Sequence, residues 1–269
     1  MSGSPIGSTH WAGTRRRVLL PLLVIGAALV VLLALISDRS LRVVSIGDSV
    51  TYDADPGLRA ALEATGSVVV DTRSIGGVGL LRPGIDDYLA EVLSDDPAVV
   101  VVMLGGWDLG EIVADPTAYA IRLDEVADYL TADGAHVVWL AMPPTPPGEG
   151  IEEARQTANG LFGDLADRRS DVDHLPTGSL LGDEAGAFTR FRAGVTGRNV
   201  QVRKVRDGRD DGHLCPGGAA LLGQAVADLL VDRFDVPEPS GEWWAGEWTT
   251  DARYDDPPGA CAAMVTSSG

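Results

Sequence analysis

The chain has 269 residues, of which 45% are hydrophobic and 22% charged, a composition typical of a globular domain and not of a disordered protein. Its 39 acidic side chains outnumber the 21 basic ones and give a formal net charge of −18. Phosphate backbones and anionic lipid head groups repel so acidic a surface, which argues against nucleic acid as a partner.

Residues 18–36 form an uncharged apolar run directly after three arginines at positions 15–17. At about 1.5 Å per residue, a helix of this length crosses a hydrocarbon core of roughly 30 Å. Because basic flanks stay in the cytoplasm, we expect residues 1–17 to be cytoplasmic, residues 18–36 to be a transmembrane anchor and the remainder to be extracytoplasmic. A cleaved signal peptide is the alternative, although the run exceeds the usual apolar length of about 7 to 15 residues.

Strand and helix patterns alternate along residues 37–236, the predicted catalytic domain. Short apolar or β-branched runs predict five strands, at residues 41–46, 67–72, 98–104, 136–141 and 172–175. Helical spacing of apolar residues predicts helices at residues 56–65, 83–93, 117–131, 151–166 and 217–234. This alternation predicts an α/β fold, a three-layer α/β/α sandwich around a parallel, doubly wound sheet of flavodoxin-like type.

The segment 178–210 is polar and dotted with glycines, and it has no assignable pattern. The tail, residues 237–269, is rich in Trp, Pro and Gly. We expect its three neighbouring tryptophans, Trp243, Trp244 and Trp248, to pack on the domain, because exposed indoles would form an adhesive apolar patch.

Both cysteines, Cys215 and Cys261, belong to the part of the chain expected outside the membrane. In an oxidising compartment such a pair forms a disulfide, which would hold the C-terminal tail beside the residues around Cys215. Two unpaired, partly buried thiols are the alternative.

Several predicted strands end in glycine-bearing loops, and the first of these loops carries a serine. The sequence GDSV follows the first predicted strand, so Ser49 is expected at the carboxyl end of the sheet, where open α/β sheets bind ligands. A serine there can act as a nucleophile if a base takes its proton. On its own, the tetrapeptide is also ordinary turn chemistry.

His213 is the best-placed base among the four histidines of the chain. It lies in the sequence RDDGHL directly before the last predicted helix, whereas the others precede the apolar run or lie in predicted strands away from Ser49. Asp210, three residues earlier, can fold back within one turn to hold Nδ1 of His213. Asp211 is the alternative orienting acid. Only Gly212 separates it from His213, and this short spacing makes Asp211 a poorer candidate than Asp210.

Together these motifs resemble the conserved blocks of the SGNH (GDSL-type) hydrolase family. GDSV matches block I, the glycine loop after the second strand matches block II, the GGWD loop after the third matches block III, and D-x-x-H before the last helix matches block V. The resemblance extends from residue 41 to about residue 234. It implies hydrolysis of carboxylic esters through an acyl-enzyme.

The resemblance implies a role for each matched position. Ser49 becomes the nucleophile and, through its backbone N–H, an oxyanion-hole donor. His213 becomes the general base and Asp210 its orienting acid. Gly77 matches the block II glycine, whose N–H is the second oxyanion donor, and Gly76 is the neighbouring alternative.

Block III is where the sequence departs from the family. The family pattern G-x-N-D supplies an Asn side chain as a third oxyanion donor, and here Trp107 stands in that place, followed by Asp108. Losing one such donor typically costs about 3 to 4 kcal/mol of transition-state stabilisation, which an indole N–H can partly replace. Trp107 either packs in the core or lines the acyl pocket, so Trp107 and Asp108 are candidate substrate-pocket residues.

The sequence therefore predicts a serine esterase of the cell membrane that acts outside the cytoplasm on O-acyl esters, chiefly acetyl esters, of cell-envelope carbohydrate. The alternative is an O-acyltransferase supplied by a membrane acyl-delivery partner, because some SGNH domains attached to membrane acyltransferases also lack the block III Asn. An inactive envelope-binding module is the third reading. Neither cofactor nor metal is predicted, since no cluster of His, Cys and carboxylates has ligand spacing.

Overall fold

A computed structural model of the chain describes residues 40–262, and its central element is a five-stranded parallel sheet. The strands are β1 (Leu41–Gly47), β2 (Val68–Thr72), β3 (Val99–Met103), β4 (His136–Leu140) and β5 (Val172–Leu175). Their order across the sheet is β2-β1-β3-β4-β5, the flavodoxin-like order. In such sheets ligands bind where the order reverses, which here is at the carboxyl ends of β1 and β3.

Helices cover both faces of this sheet. They are α1 (Ser49–Glu63), α2 (Ile85–Leu93), α3 (Leu109–Ala114), α4 (Pro116–Thr131), α5 (Glu152–Arg168), α6 (Gly178–Leu181) and α7 (Pro216–Phe234). One apolar layer joins the sheet to α1 and α7, and the other joins it to α2, α4 and α5. Alternate valines of β3 face the two layers, which explains why this strand is apolar throughout. The predicted α/β/α sandwich is confirmed.

The segment without a sequence pattern folds mostly as two small antiparallel hairpins. One pairs β6 (Phe191–Ala193) with β7 (Asn199–Gln201), and the other pairs β8 (Arg203–Arg206) with β9 (Arg209–Leu214). His213, the predicted base, therefore lies on strand β9 and not in a turn, and β9 leads directly into α7.

Close packing of α1 against α7 brings together the two segments that carry the predicted site, one around Ser49 and one around His213. A Cβ atom on Gly57 would lie 2.5 Å from the carbonyl carbon of Ala219, and one on Gly223 would lie 2.5 Å from the carbonyl oxygen of Gly57. Only glycine permits backbones to approach this closely. The contact sets Ser49, at the start of α1, near the residues that precede α7.

Helix α1 begins at Ser49, earlier than the predicted start at residue 56, and Pro56 lies inside it. Proline has no N–H, so the carbonyl of Tyr52 loses its partner within the helix. The guanidinium of Arg253, from the tail, donates to that carbonyl, and the Tyr254 hydroxyl donates to the next carbonyl, that of Asp53, at 2.8 Å. The tail thus supplies a donor to the carbonyl that Pro56 leaves without one, and it binds the next carbonyl as well.

The tail packs on the domain as predicted. Trp243 is buried, Trp244 and Trp248 pack against the layer that joins α1 and α7 to the sheet, and the indole N–H of Trp248 donates to the Trp243 carbonyl at 2.7 Å. The described part of the tail, residues 237–262, belongs to the same compact unit as residues 41–236.

Cys215 and Cys261 form the predicted disulfide, with their Cα atoms 5.7 Å apart. The two cysteines are separated by 46 positions in the chain. For a loop of this length, the loss of unfolded-state entropy contributes about 4 kcal/mol.

We therefore expect replacing both cysteines by serine to lower the free energy of unfolding by up to about 4 kcal/mol. Urea unfolding of the variant and of oxidised wild type measures the difference. The reduced wild type is the control and should unfold like the variant. Equal stability of the oxidised and reduced proteins would contradict the stabilisation that we assign to the disulfide.

The predicted anchor, residues 18–36, lies outside the described residues. Within residues 40–262, no helix combines the length and the apolar character needed to cross a bilayer.

Candidate active site

Ser49 lies where β1 ends and α1 begins, at the point of sheet reversal. The carboxylate of Asp48 caps the helix by accepting the N–H of Val50 at 2.9 Å. Burial raises the pKa of Asp48 to about 6. The first N–H groups of a helix have no acceptor within it and attract negative charge. The backbone N–H of Ser49 is one of these groups, so its position suits an oxyanion donor.

A chain of hydrogen bonds joins Ser49, His213 and Asp211. Nε2 of His213 lies 3.0 Å from Oγ of Ser49, and Nδ1 lies 2.7 Å from Oδ1 of Asp211. The same carboxylate oxygen accepts the backbone N–H of His213 at 2.8 Å. An ionised carboxylate only accepts hydrogen bonds, so Nδ1 carries the proton and the Nε2 lone pair faces the serine hydroxyl. This is the arrangement that a serine nucleophile and its base require.

The expectation that Asp210 orients His213 is wrong. Oδ1 of Asp210 accepts a hydrogen bond from Nε of Arg190 at 2.6 Å, and Asp211 contacts the histidine instead. These residues lie where β9 is irregular, because residues 211–213 fall between the pairs Arg203–Leu214 and Val205–Asp210, whose β8 members are only two positions apart. There the Asp211 carboxylate reaches both the N–H and Nδ1 of His213, while Asp210 pairs with Arg190.

Asp211 also pairs with a cation. Its Oδ2 lies 2.9 Å from Nε of Arg206, on the neighbouring strand β8. Burial alone would raise the pKa of Asp211, but the hydrogen bonds from His213 and the charge of Arg206 outweigh it and hold this pKa below its usual range. The carboxylate therefore stays ionised at neutral pH and can stabilise a positive imidazole ring.

Gly77 lies in a turn of the loop between β2 and α2, as the block II match requires, and has a φ of +83°. The loop is anchored beside the site because the N–H of Ile75 donates to the carbonyl of Gly47 at 2.8 Å. The assignment of Gly77, with Gly76 as its neighbour, as the second oxyanion donor stays a prediction.

Trp107 does not pack in the core. Its side chain is about half exposed, and the Arg82 guanidinium lies 6.0 Å from the centre of its ring. Trp107 follows β3, one of the two strands that flank the reversal point. Its position at the edge of the site leaves the pocket-lining role as a prediction.

Asp108, by contrast, is fully buried, so the structure contradicts its assignment to the substrate pocket. Oδ2 of Asp108 accepts the N–H of Leu80 at 2.6 Å and the Tyr119 hydroxyl at 3.3 Å. Burial raises the pKa of this carboxyl group. Asp108 therefore braces the loop that carries Gly77.

Glu149 is a site residue that the sequence did not single out. It follows β4 in a loop rich in proline and glycine, and both its carboxylate oxygens accept the backbone N–H of Gly212, at 2.9 and 3.1 Å. The one available signal was its position in a loop at a strand's carboxyl end, where functional side chains gather.

Glu149, Asp211 and His213 each offer one ligand atom, and these atoms lie within 4.8 Å of one another, a spacing that would suit a cation. Their polar groups have protein partners. Glu149 holds Gly212, Asp211 binds His213 and Arg206, and His213 contacts Ser49. The hydrogen-bond network accounts for this cluster without a metal.

Solved structures share this fold. A proposed lipolytic protein of the G-D-S-L family from Desulfitobacterium hafniense DCB-2 has a TM-score of 0.55 and 15% identity, covering 71% of this chain and 100% of that one. For the family 3 carbohydrate esterase of Clostridium thermocellum the TM-score is 0.52, with 16% identity over 72% of this chain and 96% of that one. These likenesses show that the chain has the same fold as these two proteins.

No curated protein sequence is significantly similar to this chain. A family model described as a protein of unknown function, DUF459, matches residues 42–229. The match runs from β1 into α7 and so contains Ser49, Asp211 and His213. The chain therefore belongs to the DUF459 family.

Proposed function

We propose that this protein is a serine esterase that hydrolyses O-acyl esters through an acyl-enzyme on Ser49. The observation that carries the proposal is the hydrogen-bonded chain from Ser49 through His213 to Asp211, at the reversal point of the sheet. Structures with this fold include a carbohydrate esterase and a proposed lipolytic protein, which supports ester chemistry.

In the first half of the reaction, Oγ of Ser49 attacks the ester carbonyl while Nε2 of His213 takes its proton. The negative charge that develops on the carbonyl oxygen is held by the backbone N–H groups of Ser49 and Gly77. His213 then gives its proton to the departing alcohol oxygen, which leaves an acyl group on Ser49. Asp211 stabilises the positive ring in between.

In the second half, water enters where the alcohol left. His213 takes a proton from this water, and the resulting hydroxide oxygen attacks the acyl carbon. The tetrahedral intermediate collapses, Ser49 leaves and regains its proton from His213, and the product is a carboxylic acid.

We further propose that the ester belongs to an extracytoplasmic carbohydrate. Trp107, in the loop after β3, and Tyr52, on α1, have exposed aromatic side chains whose flat faces suit stacking on a sugar ring. Tyr52 lies one helical turn beyond Ser49 on α1, and Arg253 covers one face of its ring at 3.9 Å. The disulfide and the apolar segment at residues 18–36 support a location outside the cytoplasm.

Purified full-length protein in detergent micelles tests the proposal. We expect release of p-nitrophenol from p-nitrophenyl acetate and of acetate from O-acetylated oligosaccharide, with faster turnover of the sugar ester. Butyryl and octanoyl esters measure acyl-length preference. Failure to cleave any of these esters, with Ser49 also unlabelled by a fluorophosphonate, would refute the esterase assignment.

Acyl transfer is a second candidate, and Trp107 favours it, because some SGNH domains attached to membrane acyltransferases also lack the Asn at this position. A sugar hydroxyl would then take the place of water in the second half of the reaction. Adding unacetylated oligosaccharide to the assay separates the two: acetylated oligosaccharide in place of free acetate identifies a transferase.

A further inference from the structure

The peptide units on either side of Gly212 join Asp211 to His213, and they are held from two directions. Both oxygens of Glu149 accept the N–H of Gly212, at 2.9 and 3.1 Å. The Gly212 carbonyl accepts Nη1 of Arg203 at 2.6 Å. The backbone between the two residues that activate Ser49 is therefore fixed by two charged side chains.

The same two side chains tie neighbouring parts of the molecule together. Arg203 is fully buried on β8, and its Nη2 donates to the carbonyl of Pro144 at 3.0 Å. Pro144 and Glu149 both belong to the loop after β4. This loop is thus attached to the β8–β9 hairpin at two points, one through Arg203 and one through Glu149.

The Glu149 carboxylate packs so closely against Gly212 that position 212 has no room for a side chain. A Cβ atom on Gly212 would lie 2.7 Å from Oε1 of Glu149, closer than a carbon and an oxygen can approach. A larger residue at position 212 would therefore push the carboxylate away from the N–H that it accepts.

We propose that Glu149 is a positioning residue for His213, acting through Gly212 to hold the Asp211–His213 hydrogen bond and contributing a second negative charge beside the ring. This inference rests on the proposed function. A carboxylate oxygen of Glu149, a carboxylate oxygen of Asp211 and a ring nitrogen of His213 lie within 4.8 Å of one another. The Glu149 carboxylate therefore attracts the positive charge that the His213 ring acquires when it takes the serine proton.

Other charged groups also lie around Glu149 and His213. Burial raises the pKa of Glu149, and the charged groups that act on it are Asp211, His213 and Arg203. The charged groups around His213 are Glu149 and Asp211, with Arg206 on the far oxygen of Asp211, and Asp48 and Asp53 from the α1 side.

The test compares Glu149→Gln and Glu149→Ala with wild type, in the full-length protein in detergent micelles. Glutamine keeps one oxygen for the Gly212 N–H but removes the charge, whereas alanine removes both. Glu153→Gln is the matched control, because it removes the same charge from an exposed side chain four residues along, in the first turn of α5.

Two readouts follow the proposed roles. In NMR titrations of ring-labelled histidine, identified by its loss in His213→Ala, the ring of His213 should titrate at lower pH in Glu149→Gln than in wild type, because the substitution removes a negative charge beside the ring. The acid limb of kcat/KM for ester hydrolysis should move in the same direction. At the pH optimum, kcat should fall about 10-fold in Glu149→Gln and about 100-fold in Glu149→Ala.

The control should titrate and turn over like wild type. An unchanged His213 titration in Glu149→Gln, or an equal shift in Glu153→Gln, would overturn the proposal. The titration needs no ester hydrolysis, so a wild type without esterase activity would refute the proposed function while the NMR result still decides the role of Glu149. Should Glu149→Ala fail to fold, Glu149→Gln carries the test.

Discussion

Ser49→Ala is expected to lower kcat/KM for ester hydrolysis by about 10⁴-fold or more, and His213→Ala by a similar factor. Oγ of Ser49 and Nε2 of His213 are 3.0 Å apart and act on the same proton, so removing either stops formation of the acyl-enzyme. For the same reason the double variant should be no slower than either single variant.

Initial rates with p-nitrophenyl acetate and the extent of fluorophosphonate labelling measure this effect. Ser170→Ala, at an exposed serine remote from the site, is the matched control and should keep wild-type turnover. Circular dichroism and thermal unfolding verify that each variant is folded. If folded Ser49→Ala turned over ester at the wild-type rate, the nucleophile would be another group.

Asp211→Asn is expected to lower kcat by about 10³- to 10⁴-fold, whereas Asp210→Asn should remain near wild type. An amide at position 211 can donate to Nδ1 of His213, which favours the ring tautomer whose Nε2 proton blocks acceptance from Ser49. It also removes the charge that stabilises the positive ring. Asp210→Asn loses only a partly exposed ion pair with Arg190, worth less than about 1 kcal/mol of stability.

The adjacent positions make this a well-matched pair, because the two substitutions are chemically identical while the two carboxylates contact different partners, Arg190 and His213. Steady-state kcat and KM with p-nitrophenyl acetate, at several pH values, give the comparison. A large loss in Asp210→Asn together with a small one in Asp211→Asn would show that the site rearranges before reaction.

The sheet and its layers were predictable because the pattern of each element is local. A parallel strand covered on both faces must be apolar throughout, and Val99–Met103 shows this directly. Such strands alternate with amphipathic helices, which leaves a doubly wound sheet as the consistent arrangement. Once the strands are placed, the loop position of Ser49 follows, since GDSV directly succeeds β1.

The acid of the site was decided by a secondary structure that the sequence did not reveal. From the spacing alone, Asp210 can reach His213 across a turn, and Asp211 looks too close. In β9 the relation is reversed, because the ladder with β8 is irregular at residues 211–213 and the Asp211 carboxylate contacts both the N–H and Nδ1 of His213. The strand itself forms only by pairing with β8, whose mixture of charged and apolar residues gives no clear alternation.

The sequence by itself determined the α/β/α architecture, the serine loop and the histidine, because each depends on a local pattern. It also determined the disulfide partners, because the chain has two cysteines and each can pair with one other. Only the tertiary structure decided which carboxylates serve the site. Glu149 and Asp108 were placed by contacts between segments far apart in the chain, because Glu149 accepts the N–H of Gly212 and Asp108 reaches the loop after β2. Asp211 was selected by the local conformation that pairing with β8 imposes on β9. A carboxylate has the same chemistry in every loop, and its role is set by the hydrogen-bond donors that folding brings to it.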